Sequence, residues 1–156
     1  MSSNTGKLVL SLAVPLLVGF IAGYFTVKAI PGWYASLHQP AFSLPDSVFG
    51  PVWVTLYLIM GISCYLIWIL PASTDRNTAL VTFCVQLVLN FAWSFIFFYF
   101  KLIGFALVEI IVLWVAILIM IIRFKRVRPI AAYVNVPYLL WVTFATFLNG
   151  AYFTLN

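Results

Sequence analysis

Five stretches of this chain stay apolar for about 20 residues each, the length a helix needs to cross a bilayer core. That feature limits the fold more than any other. The stretches fall at 8–27, 48–70, 79–100, 102–122 and 129–155. None alternates apolar and polar residues as a membrane barrel strand does. Charged residues make up 7% of the sequence, against roughly 25% in soluble domains. The expected fold is therefore all-α: a polytopic membrane protein, one domain over residues 1–156, built as a five-transmembrane-helix bundle. The first run has no small-residue cleavage site and is expected to be a retained helix, not a signal peptide.

The one long connector, 28–47, does not read as a free linker. Pro31, Pro40 and Pro45, with Pro51 just beyond, fix φ and remove backbone donors, so most of the segment is barred from regular helix. Flexible linkers are polar, whereas this one and the start of the next helix carry Trp33, Tyr34, Phe42, Phe49 and Trp53. A stiff, aromatic flap is expected to fold back as a lid over a pocket between the helices.

Side-chain spacing suggests which helix faces matter. On the first span, Gly19 and Gly23 put two small residues on one face and permit close helix approach, read as packing within the chain rather than dimerisation. Trp53, Tyr57, Met60, Cys64 and Trp68 share a face of the second. The stretch 71–78, with Asp75 and Arg76, reads as a solvated loop, and Lys101 as a short turn. On the third span Gln86, Asn90 and Ser94 recur every four residues, with Trp93 beside them. Polar groups at membrane depth need partners, either on another helix or on a ligand. Glu109 on the fourth span is a costly intramembrane carboxylate that should face the bundle interior or a cavity. Pro137 is expected to kink the fifth span, after which Tyr138, Trp141, Ala145 and Asn149 line one face. Cys64 and Cys84 read as small core residues. With one His and no His/Cys cluster, no metal site built by the protein is expected.

The net charge of +5 does not point to nucleic acid. Four of the eight basic residues lie at 123–128, at the end of an apolar run, which reads as a topogenic cluster that anionic lipid can also meet. Lys7, Arg76, Arg123, Lys125, Arg126 and Arg128 fall on one side of a five-span chain, Lys28 and Lys101 on the other. This bias predicts a cytoplasmic N-terminus, with lid and C-terminus outside, in an inner or plasma membrane.

With these segments placed, the chain resembles the translocator protein family, also called the peripheral benzodiazepine receptor or tryptophan-rich sensory protein family. The matching pieces are Trp33-Tyr34 with Pro40 and Pro45, then Phe49-Gly50-Pro51-Val52-Trp53 with Tyr57. They continue with Gln86 to Ser94, Ala106-Leu107-Val108-Glu109, and Pro137 to Asn149, in order and over nearly the whole chain. The resemblance implies a five-helix bundle, often a homodimer. It implies binding of tetrapyrroles such as protoporphyrin IX, and of benzodiazepine-type and isoquinoline-carboxamide ligands, under the first loop. No cofactor is built in; protoporphyrin IX or a haem-type tetrapyrrole is the expected ligand. Tyr34, Asn90, Trp93, Ser94 and Ala145 match pocket-lining positions. Some bacterial members are associated with light-dependent oxidative breakdown of protoporphyrin, linked to tryptophans that correspond to Trp53 and Trp141. The family's sterol element needs a basic residue after its Tyr. Here Tyr152 is followed only by Phe153-Thr154-Leu155-Asn156, which counts against sterol binding through it.

The full expected ligand set is Tyr34, Phe49, Trp53, Tyr57, Gln86, Asn90, Trp93, Ser94, Glu109, Tyr138, Trp141, Ala145 and Asn149. Flat, apolar macrocycles suit stacking walls of Trp53, Trp93, Trp141 and Tyr138. The leading expectation is a porphyrin-binding receptor or sensor. The alternatives are a low-turnover enzyme using Trp53 and Trp141 to degrade protoporphyrin, and a carrier of tetrapyrroles or other lipophiles. No nucleophile–base pair is visible, so any enzyme of this kind would rely on the ligand's own photochemistry.

Overall fold

The computed structural model describes residues 3–156 and is helical throughout. Helix α1 (Asn4–Ala29) opens with Ser3 as its cap, the hydroxyl accepting from the Gly6 N–H at 3.1 Å, and stops just short of Pro31. The connector contains one 3₁₀ turn, Tyr34–Ser36, and leads into α2 (Asp46–Trp68), whose first-turn Asp46 complements the helix dipole. Helix α3 (Thr74–Ser94) starts inside the stretch expected to be a solvated loop. Ser73 caps it through the Arg76 N–H, so Asp75 and Arg76 lie in its first turn.

Beyond Ser94, α3 widens into a π-helical turn, Phe95–Tyr99, where the Phe100 N–H reaches the Phe95 carbonyl at 2.9 Å. Lys101 then reverses the chain with φ of 59°, in the left-handed region. Helix α4 (Ile103–Val127) runs further than the apolar pattern suggests and carries the basic cluster in its last turns. The fifth span is two helices, α5 (Pro129–Tyr133) and α6 (Val136–Leu155). The break expected at Pro137 lies before it, at Val134 and Asn135. Pro137 cannot donate to the residue four back, Tyr133, and its ring clashes there, so α5 ends at Tyr133 and Pro137 sits in the first turn of α6.

Five helical spans result among the described residues, and the molecule is a multi-pass membrane protein. Phe20, Phe105 and Phe147 are 75%, 71% and 70% exposed. Such outward apolar faces fit lipid as their solvent. Helix α4 is central, packed against α3 on one flank and α5–α6 on the other, while α1 lies mainly on α2. The core between α2, α3, α4 and α6 is built on Met60, Ile67, Ile110, Ile117, Tyr138 and Val142, all buried. Cys64 lies in this core, but Cys84 is exposed on the outer face of α3, against the expectation for it.

The closest helix contact is not the one the Gly19/Gly23 spacing suggests. A Cβ on Gly61 of α2 would lie 2.6 Å from the Ser11 carbonyl oxygen and 2.9 Å from the Leu12 Cα, so the α1 and α2 backbones meet there. Gly19 instead makes room for the Tyr57 ring, and Gly23 has open space beside it.

Candidate functional site

The connector folds back over one end of the bundle and is fastened to the end of α6. The Asn156 side chain brackets the His38 main chain, accepting from its N–H at 2.8 Å and donating to its carbonyl at 3.2 Å. The Tyr152 hydroxyl donates to the Tyr34 hydroxyl at 2.8 Å. Burial holds the Tyr34 phenol above its ordinary range, so it is neutral at physiological pH. Tyr34, Phe97, Ala106, Leu148 and Tyr152 form a small second core under the lid, with Trp33 and Leu37 packed on it.

Below the lid, a cavity of about 1250 Å³ opens between α1, α2, the end of α3 and α6. Ligand pockets are commonly about 300–1,000 Å³, so this one is large. Its tryptophans come from three helices. Trp53 on α2 and Trp141 on α6 meet edge-to-face, with centroids 6.5 Å apart at 90°. Phe49 packs edge-on against Trp141 at 5.8 Å. Across the cavity, Trp93 on α3 stacks on Phe97 at 5.3 Å, its indole N–H donating to the Asn149 Oδ1 at 3.1 Å. Asn149 is itself held by a bond from its amide to the Ile103 carbonyl at 3.1 Å. Ala145, between the larger α6 groups, leaves the space open.

Nine of the thirteen expected ligand residues border this cavity: Tyr34, Phe49, Trp53, Tyr57, Trp93, Ser94, Trp141, Ala145 and Asn149. The structure places the other four elsewhere. Gln86, Asn90 and Tyr138 are buried between α3 and α6 and satisfy one another. The Tyr57 hydroxyl donates to the Asn90 Oδ1; the Asn90 amide donates to the Tyr138 hydroxyl at 2.9 Å; that hydroxyl donates to the Gln86 Oε1 at 2.8 Å. The polar stripe therefore splits: Gln86 and Asn90 tie helices together, and Ser94 alone reaches the cavity wall. Glu109 is also off the cavity; its carboxylate oxygens are shielded and have no hydrogen-bond partner among the described residues.

Several lining residues escaped the sequence reading. Phe97 and Phe98 both reach the wall because the π turn advances fewer degrees per residue than an α turn, so neighbours share a face more closely. Tyr152 continues the Trp141–Ala145–Asn149 stripe by three residues, a signal that was available. Lys28 and Asp46 both border the cavity near the lid, with the Lys28 ammonium 4.2 Å from the Tyr24 ring centroid. Trp141 also borders an outer groove of about 580 Å³ between α2 and α6, so its indole separates the inner cavity from the bundle's outer surface.

Fold and cavity together define a class: a polytopic helical membrane protein with a large, aromatic-walled chamber capped at one end by its first loop. Comparison with known proteins makes this specific. The profile of the TspO/MBR family matches residues 11–155, and the chain belongs to that family. It is 37% identical to the tryptophan-rich protein TspO of Archaeoglobus fulgidus, over 98% of this chain and 99% of that protein. It is 38% identical to the translocator protein of Homo sapiens, over 86% and 81%. With the tryptophan-rich sensory protein of Cereibacter sphaeroides it shares 32% identity over 80% and 77%.

Proposed function

We propose that this protein is a membrane receptor for a flat, lipophilic tetrapyrrole of the protoporphyrin IX type, bound in the chamber beneath the lid. The observation that carries the reading is the chamber itself: about 1250 Å³, walled by Trp53, Trp93 and Trp141 and capped at one end by a fastened loop. Ring faces on several sides suit a macrocycle, each aromatic pairing contributing about 0.5–1.5 kcal/mol beyond area burial. Lys28 at the lid end offers a cation for a propionate, with Asp46 keeping the mouth from being uniformly basic. Smaller benzodiazepine-type and isoquinoline-carboxamide ligands fit the same walls.

The lining narrows the tetrapyrrole. Iron porphyrins are held by axial His, Cys, Met or Tyr. Among the described residues the cavity lining includes no His, Cys or Met, and of its four tyrosines the Tyr34, Tyr57 and Tyr152 hydroxyls are engaged in hydrogen bonds, which leaves Tyr24 as the one free phenol. The reading therefore favours the metal-free macrocycle over haem. A second reading has its own support: the Trp53–Trp141 pair places two oxidisable indoles at one wall. A photoexcited porphyrin with oxygen would supply the chemistry, and the protein the position. A homodimer, and a cytoplasmic N-terminus with the lid outside, are proposed alongside.

The test is a protoporphyrin IX titration of the detergent-purified protein, followed by tryptophan quenching in the dark and then by the Soret band under light. Wild type is compared with Ala145→Phe and with the Trp53→Phe/Trp141→Phe pair. Saturable dark binding, weakened at least tenfold when Ala145→Phe fills the chamber, supports the receptor. Light-dependent conversion to one new species, lost in the tryptophan pair, favours the enzyme. No saturable binding overturns both.

A further inference from the structure

At the end of the bundle away from the lid, three cations from three parts of the chain converge on the C-terminus of α2. Lys7 of α1 donates to the Trp68 carbonyl at 3.3 Å, and Arg76 of α3 donates to the same oxygen at 3.0 Å. Arg128, at the junction of α4 and α5, donates to the Leu66 carbonyl at 3.3 Å. These carbonyls lie where α2 loses its regular ladder. The Leu70 N–H bonds Ile67 rather than Leu66, and Pro71 has no N–H to give.

Helix capping explains one such cation and not three. A helix C-terminus carries roughly −0.5 of a charge, so three full positive charges overcompensate it several-fold. Lys7 and Arg76 share a single acceptor, which brings like charges together. All three side chains are half-buried, as is Arg123, whereas Lys125 and Arg126 nearby are exposed. None of the three is hydrogen-bonded to a carboxylate among the described residues, and the adjacent acid, Asp75, is exposed. The Arg76 Nε is shielded and unpartnered. Partly buried charge is costly without a counter-charge, so the cluster is suited to an anion.

We infer that Lys7, Arg76 and Arg128 hold the phosphate of an anionic glycerophospholipid between them. The cluster lies at the ends of membrane spans beside Trp68, at the depth where headgroups lie and where aromatic residues collect. Basic pockets between span ends hold acidic headgroups. The outer face of α1 next to Lys7 offers Val9 and Leu10, 58% and 50% exposed, for acyl chains. A free phosphate would leave that apolar surface unused. The site is separate from the lid-side chamber and does not depend on what binds there.

Native mass spectrometry of the full chain with dioleoylphosphatidylglycerol, dioleoylphosphatidylcholine or inorganic phosphate tests this. Phosphatidylglycerol should be retained in preference to phosphatidylcholine. Lys7→Gln/Arg76→Gln/Arg128→Gln should weaken retention about a hundredfold, at roughly fivefold for each cation near an anionic headgroup. Lys125→Gln/Arg126→Gln should cost clearly less per charge than the triple variant. Should the triple variant fail to fold, Lys7→Gln alone, which removes one terminal contact, should still show its roughly fivefold loss. Equal loss per charge in the flanking pair would mean diffuse surface attraction and overturn the site. Displacement of the lipid by millimolar inorganic phosphate would assign a soluble anion instead, and equal retention of phosphatidylcholine would remove the role of charge.

Discussion

Replacing Tyr138 by Phe separates two roles that a polar stripe at membrane depth can play. The phenol ring is fully buried in the α2–α3–α4–α6 core, and Phe keeps its packing. What disappears is one hydroxyl with two bonds, from the Asn90 amide at 2.9 Å and to the Gln86 Oε1 at 2.8 Å. In water-soluble cores, leaving two buried groups unpaired would cost about 1–3 kcal/mol each. Inside a membrane the unfolded reference also finds partners, and measured side-chain hydrogen bonds average about 0.6 kcal/mol, with a maximum near 1.7. Two such bonds give an expected destabilisation of about 1–3 kcal/mol. The hydroxyl does not border the chamber, so porphyrin affinity should stay within about twofold, a difference of under about 0.5 kcal/mol. The assay is unfolding by SDS in mixed micelles, read by near-UV circular dichroism, beside a protoporphyrin titration in the dark. A tenfold loss of affinity with an unchanged unfolding midpoint would refute the reasoning and make Tyr138 a ligand handle.

Two further outcomes follow from the same geometry. Tyr152→Phe with Asn156→Ala removes the Tyr34 bond and both bonds to His38; at about 0.5–1.5 kcal/mol net each, lid opening should rise roughly 10- to 2,000-fold. Hydrogen exchange of the amides at 33–45 reads this directly, and unchanged protection there would mean the lid is held by apolar packing alone. Gly61→Ala drives a Cβ into the α1 backbone and should destabilise the protein by about 1–3 kcal/mol. Gly23→Ala, with nothing within 4 Å, should be near neutral by the same denaturation assay.

What the amino-acid sequence determined by itself is the part set by solvent and by local backbone rules. Apolar runs of bilayer length can only be spans, because unpaired backbone groups are intolerable in lipid. Prolines at 31, 40 and 45 keep the first connector out of helix, and its aromatic residues require an apolar surface to cover. The faces bearing Trp53, Tyr57, Trp93, Trp141 and Asn149 followed from helical periodicity. Periodicity says which residues look the same way, but not whether a void or another helix lies in front of them. Gln86, Asn90 and Ser94 share a stripe, yet packing closes the first two against Tyr138 and opens only the third to the chamber. Glu109 belongs to the same class of intramembrane polar residue and also ends off the cavity, its oxygens shielded with no hydrogen-bond partner among the described residues. The π turn that turns Phe97 and Phe98 inward has no composition signal. The convergence of Lys7, Arg76 and Arg128 joins residues 61, 8 and 62 positions from their partners, and only the assembled bundle brings those helix ends together.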